Sequence, residues 1–200
     1  MGTGVIIAVV FILLIIGSVG YFISIYNQLT TLGERHKNAF SQIEVQLQRR
    51  YDLIPNLVET VKGYLKHEQS TLTAVIEARN SALAGLKAAA AQPGSAGAMQ
   101  QLATADAGLT SALGRLNVVM EQYPDLKANS QTAALFEELT STENKVSFAR
   151  QAFNDAVTSY NIYKKTFPPV FIASMTGHQN DGSLLEFESE VIKTAPRVSF

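Results

Sequence analysis

The chain has no cysteine and no tryptophan among its 200 residues. Without cysteine there is no disulfide, no thiolate nucleophile and no thiolate metal site. Charge is also scarce. Asp, Glu, Lys and Arg make up 16%, against about 25% in an ordinary soluble domain. The shortage is uneven, because no charged residue precedes Glu34. Neither sign dominates: 16 basic and 17 acidic residues leave a formal net charge of -1. That balance gives no reason to expect a nucleic-acid binder. The length suits about one domain.

What fills the uncharged head is a long apolar run. Residues 5–26 read VIIAVVFILLIIGSVGYFISIY, with no charge and no proline. As a helix, 22 residues span about 33 Å, close to the roughly 30 Å hydrocarbon core of a bilayer. Tyr21 and Tyr26 stand at the exit end, where amphipathic rings favour the headgroup level. A cleaved signal peptide is the rival, but the basic n-region is missing and the run stays hydrophobic to Tyr26. The expectation is an uncleaved single-pass anchor over residues 1–26. Basic residues follow the span, at Arg35, Lys37, Arg49 and Arg50, and none precedes it. This bias puts the C-terminal region in the cytoplasm and a stub of about four residues outside.

The body, residues 27–168, reads as all-α: a long antiparallel four-helix bundle. Leu29, Leu32, Phe40, Ile43 and Leu47 form one apolar stripe, and Ile54, Leu57, Val58, Val61, Leu65, Leu72, Val75 and Leu86 the next. Between them lies RRYDLIPN, residues 49–56. Here Asp52 is a candidate N-cap with Pro55 in the first turn, where its missing N–H costs nothing. The reading taken is a tight reversal; the alternative is a proline within one continuous helix. Pro93, Gly94 and Gly97 mark a second turn, Tyr123-Pro124-Asp125 a third, and Pro168-Pro169 a firm end. The helices expected are about 27–50, 53–90, 98–122 and 130–167. Short connections imply antiparallel neighbours. The tail, 169–200, is expected to pack partly on the bundle, with LLEFESEVIK a short helix or an extended piece.

Several charges fall on or beside the stripes: Arg50, Glu68, Arg79, Asp106, Glu143 and Arg150. Each must snorkel at the stripe's edge or find a partner. The sharper expectation pairs Glu68 or Glu143 with Arg50, Arg79 or Arg150. An enzyme built on these groups would need a concave pocket holding such a glutamate beside such an arginine.

Motifs for chemistry fail on inspection. His67-Glu68 opens like a zinc-protease helix, but Thr71 stands where the second histidine belongs. No Glu-x-x-His pair, Walker loop, dinucleotide fingerprint or GxSxG elbow occurs. No cofactor is expected, and no catalytic, cofactor-binding or metal residue is assigned.

The block QLQRRYDLIPNLVETVKGYLKHE, residues 46–68, closely resembles the hallmark segment of the LemA family of bacterial membrane proteins. Arg79, LTSALGRL at 109–116, YPDLKAN at 123–129 and LTSTENKVSFAR at 139–150 extend the resemblance, followed by Asn154, Tyr160-Asn161 and Phe167-Pro168. It covers nearly all of residues 27–200. Two departures stand out: Phe153 replaces the family's usual tyrosine, and Pro169-Val170 replaces a small-polar pair. The resemblance implies an inner-membrane protein with one anchor and a long helical bundle. It supplies no settled activity and favours an interaction role. The structural or interaction candidates in these blocks are Arg49, Arg50, Asp52, Pro55, Asn56 and Glu68 early on. Arg79, Tyr123, Pro124 and Lys127 follow, then Glu143, Asn144, Arg150, Asn154, Asn161 and Pro168.

The expected role is a non-enzymatic scaffold or adaptor with an unidentified membrane or cytoplasmic protein partner. Its surface would include Arg49, Arg50, Lys62, Lys66 and the Tyr123–Lys127 turn. The alternatives are a self-assembling homo-oligomer that organises membrane and, third, an enzyme using the bundle's Glu and Arg residues. The bilayer is a partner in every case, and nucleic acid in none.

Overall fold

A computed structural model describes residues 2–127 and 129–187. Among them lie six helices: α1 (Gly2–Lys62), α2 (Gln69–Ala91), α3 (Ala96–Met120), α4 (Pro124–Lys127), α5 (Ser130–Lys165) and α6 (Pro169–Met175). The architecture is all-α, with an N-terminal apolar helix leading into a multi-helix bundle. Six helices replace the four expected, because Pro124 and Pro169 each open a short helix of their own.

The largest correction concerns α1. It runs unbroken for 61 residues, with Pro55 inside it. The expected reversal at 49–56 is absent, Asp52 caps nothing, and the boundaries 27–50 and 53–90 give way to 2–62 and 69–91. The reason lies in the phase of the buried stripe. From Ile25 to Val61 one core residue recurs per turn, through Leu29, Leu32, His36, Phe40, Ile43, Leu47, Arg50, Ile54 and Leu57. That is ten steps in 36 residues, the pitch of a straight helix. The phase does not slip at Pro55, so a single helix buries every one of these side chains.

Proline inside a helix leaves the carbonyl four residues earlier without its donor. Here that carbonyl belongs to Tyr51, and Arg79 of α2 supplies the missing N–H, its Nε donating at 3.1 Å. The reversal comes eight residues later, at Gly63–Glu68, where buried Leu65 plugs the turn. Glu68 stands at the N-cap of α2 without a side-chain capping bond.

The contacts run antiparallel. Phe40 meets Phe153, Arg49 meets Glu138, and Asn129 meets Tyr64, tying α1 to α5. α2 packs chiefly on α3. Gly94, at φ +83, makes the α2–α3 turn in a conformation that a Cβ disfavours. Asn129 caps α5, its Oδ1 accepting from the backbone N–H of Gln131 and Thr132. The core is built around Tyr51, Phe40, Phe153 and a column of Leu and Ile from α1.

The first part of α1 is long and apolar enough to cross a membrane. Every side chain from residue 2 to residue 24 is exposed, and burial begins at Ile25. From Tyr26 to Lys62 the same helix rises about 54 Å.

Candidate functional site: a polar groove between α3 and α5

α3 and α5 both pack into the bundle but scarcely approach each other. The gap between them is a groove of about 480 Å³. Arg50 of α1 forms its floor. Asp106, Thr110 and Ser111 of α3 line one wall; Glu143, Ser147 and Arg150 of α5 line the other. Phe187, from the chain after α6, closes one end beneath the Arg150 guanidinium, which lies 5.1 Å from the ring centroid.

The floor is a buried polar network. Arg50 and Asp106 are only 5% and 4% exposed. The Arg50 guanidinium donates to Asp106 Oδ2 at 3.3 Å and to Thr110 Oγ1 at 3.2 Å. The Tyr51 hydroxyl donates to Asp106 Oδ1 at 2.9 Å. Burial pushes the Asp106 carboxyl up from its ordinary value, and the Arg50 charge and the Tyr51 hydroxyl pull it back. Burial also pushes the Tyr51 phenol up, with the Asp106 charge acting in the same sense. The pairing joins charges that would be costly alone. It also corrects the expected partners: Arg50 meets Asp106, not Glu68 or Glu143.

The groove therefore carries two cations, two anions and several hydroxyls. Such a surface suits a polar, roughly neutral partner, such as an extended peptide that offers backbone donors and acceptors. Glu143 and Arg150 do share this concavity, the condition set for acid–base chemistry. No histidine lines it to serve a hydroxyl as base. Among the described residues no group of three or more His, Asp or Glu is placed to hold a metal ion.

A second construction supports the groove. Two asparagines seven apart on α5 clamp the chain after α6. Asn154 accepts from the Leu185 N–H at 2.9 Å and donates to its carbonyl at 3.1 Å. Asn161 does the same for Gly182, at 2.9 and 2.8 Å. A Cβ on Gly182 would lie 3.1 Å from a Val157 methyl, so a larger residue here requires that side chain to give by a few tenths of an ångström. Lys164 donates to the carbonyls of His178 and Gln179 and pairs with Asp181 at 2.8 Å. Ser183 N–H reaches back to the Gly94 carbonyl at 2.8 Å. Thus Asn154 and Asn161 hold the irregular segment that delivers Phe187 to the groove.

The remaining candidates scatter. Arg49 pairs with Glu138 on the outside of the α1–α5 contact. It sits about 35 Å of helix beyond Tyr26. Asp52 is exposed and takes Gln48 and Arg79. Asn56 and Asn144 are exposed on α1 and α5. Tyr123 and Pro124 lie at α4 at the far end of the bundle. The Lys127 side chain is outside the described residues, as is LLEFESEVIK beyond Phe187. Pro168 stands at the N-cap of α6. Thr110, Ser111, Ser147, Tyr51 and Phe187 were missed. A helical wheel of α3 would have found Thr110 one turn after Asp106; nothing local in the sequence points to Phe187.

The profile of the LemA family matches residues 39–200. Among curated proteins, the chain is similar to magnetosome protein MamQ 2 of Paramagnetospirillum magneticum, 27% identical over 187 residues, covering 84% of this chain and 68% of that protein. It is similar to magnetosome protein MamQ of Magnetospirillum gryphiswaldense, 27% identical over 167 residues, covering 76% and 61%. Protein LemA of Metamycoplasma hominis is likewise 27% identical over 161 residues, covering 78% and 69%.

Proposed function

The chain belongs to the LemA family, and we propose that it is a membrane-anchored, non-enzymatic scaffold that holds a protein partner against the groove between α3 and α5. Its place is the bacterial inner membrane, with the bundle on the cytoplasmic side, as the basic residues after the span favour. The observation that carries this reading is the uninterrupted α1. One helix is both anchor and central core element, so whatever binds the bundle is held at a set height above the bilayer. The internally paired floor of Arg50, Asp106 and Tyr51 supports binding over turnover, since both charges are committed to each other. The relatives named as magnetosome proteins fit an organising role at a membrane.

Photo-crosslinking groups placed at Ser111 and Ser147, in the full-length protein in its native membrane, test the proposal. The expected result is one reproducible heterologous protein, captured from both positions and lost when Glu143→Arg and Arg150→Glu are introduced singly. Capture of the same chain alone would move the assignment to self-assembly. No capture at either position would remove the groove as a docking site.

A further inference from the structure

The short helix α6 is the least expected element of the fold, and it sits where α1 leaves the membrane. Ile172 and Ala173 bury against Ile25 and Leu29 of α1, with Tyr163 packed on the same cluster. Those two α1 residues straddle Tyr26, the last residue of the apolar run. α6 is thus held at the level of the bilayer surface.

Its outward side is apolar. Phe167, Phe171 and Met175 are 79%, 62% and 76% exposed, and Val170 is exposed beside them. The two phenylalanine rings meet edge to face, with centroids 6.0 Å apart. From Thr166 to Asn180 the sequence holds no Asp, Glu, Lys or Arg. Such a cluster in water would be a liability for a monomeric surface.

The hydroxyls at α6 bond back to the backbone of the helix itself. Ser174 donates its hydroxyl to the Phe171 carbonyl, and Thr176 to that of Ile172. The last carbonyls of the helix are also served: Ile172 by Thr176 N–H, Ala173 by His178 N–H, and Ser174 by the Gln179 side chain. A helix end normally leaves these acceptors to water. Here three of the last four are satisfied within the chain, which lowers the cost of placing this helix end in a poorly hydrated medium.

We propose that α6 lies in the membrane interface, with Phe167, Phe171 and Met175 inserted among the lipids. This makes a second contact with the bilayer beside the span. A single helical span leaves the bundle free to tilt and rotate about it; a lateral apolar foot on α5–α6 fixes one side of the bundle toward the bilayer. The groove then faces a set direction as well as a set height. The occupant is lipid because α6 packs on Ile25 and Leu29, where the membrane-spanning part of α1 ends.

The absence of native tryptophan gives a clean test. Phe171→Trp and Met175→Trp each place one reporter in the full-length chain, reconstituted in vesicles of phosphatidylcholine and phosphatidylglycerol. Phe148→Trp, exposed on α5 about 26 Å of helix above Lys165, is the aqueous control. The expected result is that lipids brominated near the headgroup remove most of the emission at 171 and 175 but not at 148, and that aqueous acrylamide does the reverse. Acrylamide quenching at 171 equal to that at 148 would overturn the proposal. So would blue-shifted emission at 171 that brominated lipid leaves untouched, which would mean that protein covers the patch.

Discussion

α1 is one helix in two solvents. Its backbone is satisfied in the same way from end to end, yet its first 23 described side chains are all exposed and the next 38 carry the core of the bundle. The first part needs only apolar residues in any order, because lipid surrounds it evenly. The second needs one apolar residue per turn in strict phase, because α2 and α5 cover only one side of it. So mean hydropathy defines the anchor, whereas phase defines the bundle.

Truncation should separate the two parts sharply. Phe153→Ala removes a fully buried ring that packs on Phe40 and should cost the bundle about 3–5 kcal/mol. Phe11→Ala, on the bare part, should leave the unfolding midpoint in detergent unchanged. A comparable loss from Phe11→Ala would mean that the anchor is not bare but packed against something in the folded protein.

The wrapped part also tolerates one buried charge, and its partner is decisive. Asp106→Ala leaves the Arg50 guanidinium unpaired and the Tyr51 hydroxyl without its acceptor. About 3–5 kcal/mol should be lost. The double variant Arg50→Met, Asp106→Leu should recover most of this, since matched apolar replacement is often neutral. If the double variant is as unstable as Asp106→Ala, the groove floor is held by something other than this pair.

Most of the fold could be read from the residues, and the misreading at Asp52 is instructive. Asp52 and Pro55 make a good local start signal. The stripe through Leu47, Arg50, Ile54 and Leu57 keeps its phase across them, but Arg50 interrupts its apolar character and hides the continuity. The buried partner, Asp106, is 56 residues away, so nothing local marks Arg50 as core. The groove suffered the same way: Glu143 and Arg150 stood out as charges on a stripe, while Phe187 reaches the site on a segment with no helical pattern, held by two asparagines and their neighbours. Asn154 and Asn161 were visible as residues, but their task required knowing where the chain goes after α6.

Arg79 offers a sharper test of how α1 stays whole. Arg79→Ala removes the only donor described for the Tyr51 carbonyl among these residues, at a cost of about 1–3 kcal/mol. Pro55→Ala restores the helix's own donor. The cost of Arg79→Ala should therefore shrink when Pro55 is already alanine, a coupling that a double-mutant cycle measures directly. Strict additivity would show that Arg79 contributes only through Asp52 and packing.

The smallest effect should come from pH, and it should be local. His36 is buried on α1 beneath the Gly94 turn, and His178 bonds the Tyr160 hydroxyl through Nδ1 at 2.9 Å. Burial holds both imidazoles below their ordinary value, with Lys37 adding to each and Lys164 to His178. Backbone carbonyls and Glu34 oppose this at His36 only in part. The folded state thus prefers them neutral. Their stabilisation is complete above the unfolded value of about 6.5 and falls away as pH drops below it. Asp181 does not contribute in that window, because Lys164 and Lys165 hold its carboxyl below the usual range. Asp106, pushed up by burial, favours the folded state as pH falls, so a global midpoint would blur the two trends. Amide exchange at Gly182 and Ser183, corrected for its intrinsic pH dependence, should quicken between pH 7 and pH 5.5. Exchange at Leu57, deep in the wrapped part of α1, should not. Equal change at both sites would mean that acid loosens the whole bundle, and that the membrane-proximal clamp has no titration of its own.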